Sequence, residues 1–328
     1  MSWRQRLSAR VIDGGMCAMM YAIQRRHRLH AGSHAELTRY IAECAPLSRD
    51  VFFHGAPIDL PTPSSGSNGD PGVLSWPSPI TTAYTENNRT QILFFPTAKV
   101  NSESAPTVMM LHALMSASDR GYRQWAARFN AAGWNACFVH LPYHYSRTPA
   151  GHRNGELAIT ADCIRNGEGL RQGVSELRQL MAWLRARGTT EFGLWACSYG
   201  GWIGALLASV ERDFRFIALI EPIVDVGHAI WESPTGLALR RELVAHRIPP
   251  ELIEEHFRLI SPRHSPPLCD PARVLFAAGE YDSIARPEDI RQLHAQWTGS
   301  SFLTAPQGHF GYQLMPAAWE WLWQRRMV

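Results

Sequence analysis

The stretch EFGLWACSYGGWIG, residues 191–204, decides the fold. Its first half, Glu191–Trp195, is a short apolar run and predicts a buried strand. Its second half opens a helix rich in small residues, with Gly200, Gly201 and Gly204 spaced along it. Ser198 stands at the junction, with Ala196 two residues before it and Gly200 two after. That is the nucleophile-elbow pattern, in which a sharp strand-to-helix turn lifts a serine hydroxyl clear of the sheet. The flanking residues must be small because the turn brings the strand and helix backbones together. Ala196 occupies a place where glycine is usual, a mild departure.

A serine hydroxyl is a weak nucleophile until a base takes its proton. On a scaffold of this kind the partners follow in the order acid, then histidine. Both stand where later strands end: Ala277-Ala278-Gly279-Glu280-Tyr281-Asp282 closes one, and Gln307-Gly308-His309-Phe310 follows the last. The assignment is Ser198 as nucleophile, His309 as general base and then acid, and Asp282 as the carboxylate that orients His309. Glu280 and Asp225 are the alternative acids, Asp225 the stronger of the two. A tetrahedral oxyanion also needs two backbone donors. The Tyr199 N–H, next after the nucleophile, is one. The other is expected from His112-Ala113-Leu114-Met115, with Leu114 the first choice and Met115 the second.

Working outward, strands are predicted at Thr107–His112, Ala136–Leu141, Phe216–Ile220, Arg273–Ala277 and Ser301–Ala305. Helices fall between them at about 119–132, along the stripe Leu170, Val174, Leu177, Met181 and Leu184, and near 287–298 and 312–325. Such alternation implies an α/β fold with a mostly parallel sheet covered on both faces. Further strands are expected at Val51–Ile58, Ile80–Thr85 and Thr90–Phe95, the last two joined by a turn at 86–89. Residues 61–79 are crowded with Pro, Gly and Ser and read as a loop. Residues 226–270 interrupt the alternation with some 45 mostly helical residues, an insertion placed to cover a pocket.

These motifs, in this order, resemble the alpha/beta-hydrolase superfamily over about residues 80–325. The segment Leu141-Pro142-Tyr143-His144-Tyr145-Ser146-Arg147-Thr148-Pro149 is similar to a loop in a branch of these proteins that also carries an N-terminal extension. The resemblance implies residues 1–79 as extension and loop, and 80–328 as a hydrolase domain carrying a helical lid. It implies a serine hydrolase that cleaves a small carboxylic ester through an acyl-enzyme, without cofactor or metal. The apolar insertion favours a hydrophobic, lipid-like substrate. Amide or thioester hydrolysis and acyl transfer use the same three residues, and a non-catalytic binder could retain the scaffold. The family's turn usually reads His-Gly where this chain has His112-Ala113. A positive φ at that position would be unfavourable for alanine.

Composition sets the outer limits. The 328 residues are 45% hydrophobic and 19% charged, enough for a sizeable core. Net charge is only +3, which argues against nucleic acid as a partner. The six cysteines are scattered, without a CxxC pair, and read as thiols of a reducing, cytoplasmic compartment. His140 and His144 are not expected to share a metal ion, since no carboxylate cluster accompanies them. Residues 1–30 carry Arg4, Arg6, Arg10, Arg25, Arg26 and Arg28 against one acid, Asp13. A helical extension packed on the main domain is the preferred reading, interrupted at Gly14-Gly15. A peripheral membrane-surface helix and a targeting segment are the alternatives.

Overall fold

The computed structural model describes residues 3–58, 70–100 and 103–328. Eight strands form one sheet: β1 (Gly72–Pro77), β2 (Arg89–Phe95), β3 (Thr107–Leu111), β4 (Asn135–His140), β5 (Phe192–Cys197), β6 (Phe214–Ile220), β7 (Val274–Gly279) and β8 (Ser301–Ala305). Their order across the sheet is β1-β2-β4-β3-β5-β6-β7-β8. The pairs β1–β2 and β2–β4 are antiparallel and all the others are parallel. The exchange of β3 and β4 puts β3 beside β5, so the loops after these two strands open at the same edge.

The helices are α1 (Trp3–Gln24), α2 (Ser33–Cys44), α3 (Arg49–Phe52), α4 (Arg120–Ala131), α5 (Cys163–Ala186), α6 (Tyr199–Ala208), α7 (Val226–Trp231), α8 (Leu237–Ala245), α9 (Pro250–Phe257), α10 (Pro287–Gln296) and α11 (Leu314–Gln324). Alternate side chains of the central strands feed two cores. Met109 and Leu111 join Leu170, Val174 and Leu177 of α5 and Ile203 of α6 on one face. Val108 and Met110 join Phe129 of α4 and Leu322 of α11 on the other. Each fully buried aliphatic side chain contributes about 1.5–3 kcal/mol.

Three local expectations are corrected. Val51–Ile58 is not a strand. The Ser48 hydroxyl accepts the Val51 N–H and caps the short helix α3, while Gly55 lies so near α5 that a Cβ there would be 2.7 Å from the Ser175 carbonyl oxygen. Ile80–Thr85 is not a strand either. Thr82 and Asn88 hold it as a turn, with Thr82 N–H and Oγ1–H donating to Asn88 Oδ1 at 2.7 and 2.9 Å. The partner of β2 is instead β1, from within the stretch read as loop. As the edge strand it tolerates Pro77, which an inner strand would not. Positions 61–69 of that stretch lie outside the described residues.

Gly14-Gly15 do not break α1. Two glycines cost a helix roughly 2 kcal/mol together. Both face open space, while Ala9, Asp13, Cys17, Met20 and Gln24, spaced by three or four, are buried on the opposite side. Packing of that stripe outweighs the propensity. Among the described residues, no helix is long and apolar enough to cross a membrane.

Candidate active site

Ser198 sits between β5 and α6 with φ 51° and ψ −114°, a left-handed conformation that L side chains resist. The surroundings hold it there. Its N–H donates to the Ile220 carbonyl at 2.9 Å, and its carbonyl accepts from Trp202 N–H at 3.0 Å. A Cβ on Gly200 would lie 2.6 Å from the His112 carbonyl oxygen, so only glycine lets α6 approach β3 this closely. Gly204 faces Ala196, where an added Cβ would meet the alanine methyl at 3.0 Å. Ala196 is therefore accommodated by its glycine neighbour.

The strand ends bring the predicted partners together. Ser198 Oγ and His309 Nε2 are 2.8 Å apart, and His309 Nδ1 and Asp282 Oδ2 are 2.7 Å apart. Asp282 Oδ1 accepts the Ile284 and Ala285 N–H groups at 2.7 and 2.9 Å, so the carboxylate is fixed at both oxygens. All three residues are buried. The alternative acids lie elsewhere. Asp225 caps α7 by accepting the His228 N–H and pairs with Arg263. Glu280 meets Thr304.

The turn after β3 reaches the same pocket. Leu114 and Tyr199 border the same pocket as Ser198 and His309. Among the described residues neither backbone N–H is engaged in a hydrogen bond. Met115 is not available as a donor, because its N–H is given to His144 Nε2 at 3.1 Å. The strained position of this turn is Met115, with φ 55°, and not Ala113. The alanine therefore meets no steric objection here.

Residues 141–149 buttress that turn. Burial lowers His144 to about 4, so its ring is neutral and accepts the Met115 N–H, while its Nδ1 faces the Pro142 carbonyl at 2.9 Å. His112 likewise accepts the Leu141 N–H at 3.2 Å, and burial holds it well below the usual histidine range. Arg147 is fully buried and grips Glu176 of α5 through two bonds of 2.6 and 2.7 Å. The motif is a scaffold for the turn after β3. His140 Nδ1 lies 2.8 Å from the Ser146 hydroxyl.

Glu221 is a site residue that the strand reading missed. It follows β6, is 7% exposed and has φ 49°. One of its carboxylate oxygens lies within 4.8 Å of an Asp282 carboxylate oxygen and of a His309 ring nitrogen. Gln307 Nε2 donates to it at 2.8 Å. Burial, reinforced by the nearby Asp282 charge, pushes its carboxyl up to about 8. For His309, burial disfavours the imidazolium, but Asp282, Glu221 and Asp13 outweigh it and raise the ring to about 9. The only signal was an acid at the end of an apolar strand. His27, His152 and Glu156 form a second such cluster, in which Glu156 is already within 3.0 Å of His27 and 3.5 Å of His152. Cys197 turns away from the site into the core shared with α4 and α11.

The pocket over Ser198 has a volume of about 100 Å³ and is mainly apolar. Trp202 of α6 and Val226, Ile230 and Phe257 of the 226–270 insertion form much of its wall. Met20 and Gln24 of α1 complete it. The arrangement places a hydroxyl against a buried imidazole, with two unengaged amides beside it.

No family model matches the sequence. Two uncharacterized proteins of Mycobacterium tuberculosis, from strains CDC 1551 / Oshkosh and H37Rv, are each 28% identical over 255 residues. The match takes in 74% of this chain and spans 57% of the length of those relatives. Among solved structures, an acetyl xylan esterase from Paenibacillus sp. R4 superposes with a TM-score of 0.60 at 11% identity, over 93% of this chain and 98% of the other. Acetyl xylan esterase 1 from Thermoanaerobacterium sp. JW/SL YS485 does so at 0.57 and 13%, over 93% and 96%. The acylaminoacyl peptidase of Pyrococcus horikoshii gives 0.52 at 14%, over 79% of this chain and 40% of the peptidase. With these superpositions, the strand order and the elbow after β5, the chain has the alpha/beta-hydrolase fold.

Proposed function

We propose that the protein is a serine hydrolase that cleaves a carboxylic ester through an acyl-enzyme. The observation that carries this reading is the chain of contacts Ser198 Oγ–His309 Nε2–Asp282 at 2.8 and 2.7 Å on the wall of an apolar pocket. Ser198 attacks the ester carbonyl as His309 Nε2 takes its proton, and the C–O double-bond electrons move to the oxygen. The Leu114 and Tyr199 amides receive that oxyanion. The intermediate collapses, His309 returns the proton to the departing alcohol, and Ser198 keeps the acyl group. Water then attacks the acyl-enzyme as His309 takes its proton, the bond to Ser198 Oγ breaks as His309 returns that proton to the oxygen, and the carboxylic acid is released. Asp282 holds His309 in the tautomer with Nδ1–H and stabilises its charged form.

The acyl group occupies the pocket beside Trp202 and Ile230. A cavity of about 100 Å³ suits a short apolar acyl group, since an engineered cavity of about 150 Å³ holds benzene. The solved structures it resembles are named as esterases and a peptidase, which agrees with a hydrolase and leaves the choice between ester and amide to measurement.

The test is labelling with a fluorophosphonate probe, comparing the wild type with Ser198→Ala and His309→Ala. Labelling lost in both variants supports an activated Ser198. A folded wild type that does not label refutes the reading.

A further inference from the structure

We infer that Asp13 is a positioning residue for His309, so that the N-terminal helix α1 is part of the active site and not an appendage. The inference rests on the hydrolase reading above. Asp13 is 1% exposed and stands alone as an acid on the buried stripe of α1. Its Oδ2 accepts the backbone N–H of His309 at 3.2 Å, across 296 positions of sequence. Oδ1 is also buried and has no partner among the described residues. The approach is close by design of the sequence: a Cβ on Gly308 would lie 2.7 Å from Asp13 Oδ2 and 3.0 Å from the Ala9 Cβ. Burying a carboxylate with one oxygen unpaired is costly, and a merely structural contact would be better served by an apolar residue. What Asp13 supplies is an anchor for the loop bearing His309, and a negative charge behind its ring. Gln307 fixes the same loop from the other side, accepting the Gln313 and Leu314 N–H groups at 2.7 and 3.2 Å.

The test compares Asp13→Asn, which keeps an acceptor oxygen and removes the charge, with Asp13→Ala, which removes both. The readouts are fluorophosphonate labelling rate, kcat and KM separately, urea midpoint, and titration of the His309 ring by NMR. Asp13→Ala is expected to lower labelling rate and kcat by at least about tenfold with KM nearly unchanged, because a misplaced base slows chemistry and not binding. Asp13→Asn is expected to restore most of the rate while His309 titrates at lower pH. The inference is overturned if folded Asp13→Ala labels at the wild-type rate, or if neither variant moves the His309 titration. Loss of labelling in the wild type itself sinks the hydrolase reading, while the His309 titration still decides the Asp13 contact.

The opposite face of α1 carries a separate inference. Trp3, Leu7, Val11 and Met19, which with Gly15 repeat every fourth residue, are 69%, 53%, 66% and 42% exposed. Arg4, Arg6, Arg10, Arg25 and Arg26 are exposed around them, and none forms an ion pair among the described residues. An apolar stripe bordered by unpaired arginines fits the headgroup region of an anionic bilayer. A second copy docked on this face would set arginine against arginine, and α1 exposes no acid to neutralise them. We propose that this face docks on an anionic lipid surface.

Co-sedimentation with vesicles of phosphatidylcholine alone, and with one-fifth phosphatidylglycerol, tests it, using the full chain, Trp3→Ser/Leu7→Ser/Val11→Ser, and Arg4→Gln/Arg6→Gln/Arg10→Gln. Wild type is expected to bind the anionic vesicles, and each triple variant to bind at least about tenfold more weakly. Wild type that stays in the supernatant overturns the proposal. So does a wild-type dimer in sedimentation that the serine variant dissociates.

Discussion

His144→Ala removes the acceptor that holds the turn after β3. In the wild type, His144 Nε2 takes the Met115 N–H at 3.1 Å and Met115 is held at φ 55°. Without the ring, a half-buried N–H loses its partner, which costs at most about 1–3 kcal/mol of stability. The left-handed conformation itself costs roughly 1–2 kcal/mol for a residue with a Cβ, so the turn gains by relaxing. Relaxation rotates the adjacent Leu114 amide away from the pocket. Loss of one oxyanion donor is worth about 2.7–4 kcal/mol, a fall of about 10²–10³ in kcat. The interaction is made in the transition state, so KM on a p-nitrophenyl butyrate substrate should stay nearly constant. Urea unfolding on the same samples separates the local effect from global loss. Because burial holds His144 to about 4, the wild-type turn is intact throughout the neutral range, and its protonation plays no part in the pH profile there. A folded His144→Ala enzyme with kcat within about threefold of wild type would show that the Leu114 amide does not serve as a donor, and the reasoning fails.

Glu221→Gln should move the acid limb of kcat/KM to lower pH. The Glu221 carboxylate favours the imidazolium of His309, whose base form is the one required, so activity rises with pH through a raised value and removal of the charge lowers it; an unmoved limb in the pH-rate profile refutes the coupling. Arg147→Met and Glu176→Ala each leave a fully buried charge without its partner and should cost about 3–5 kcal/mol, read as a shift of the urea midpoint. In a p-nitrophenyl ester series, the pocket of about 100 Å³ predicts that acyl groups of about two to four carbons outpace those of eight or more. A maximum at eight carbons or beyond would mean that the wall formed by the insertion opens.

The elements that were legible in the sequence share one property: their chemistry is local. The elbow needs a serine and small residues within a few positions of one strand, and the same holds for Asp282 after β7 and His309 after β8. Parallel strands buried on both faces are continuous apolar runs, so β3 to β7 stand out, while β8 is a half-exposed edge strand. What was not legible depends on contacts between distant segments. Strand β1 contains Pro77 and follows a Pro/Gly/Ser-rich stretch, and only its place at the sheet edge makes it a strand. Val51–Ile58 has strand-forming residues, yet the Ser48 cap and the close approach of Gly55 to α5 decide its conformation. Glu221 has the spacing of any strand end, and its meaning comes from the Asp282–His309 pair it faces. Asp13 is the extreme case. One acid among arginines looks like a solvated charge, and only the fold carries it 296 positions to the backbone of His309. A nucleophile and its base are recognisable by residue type because the reaction dictates their chemistry. The groups that aim them need only a lone pair or a charge in the right place, which many residues can supply from anywhere in the chain. That asymmetry is why the residues of the proposed triad could be named from the sequence and the groups that surround them could not.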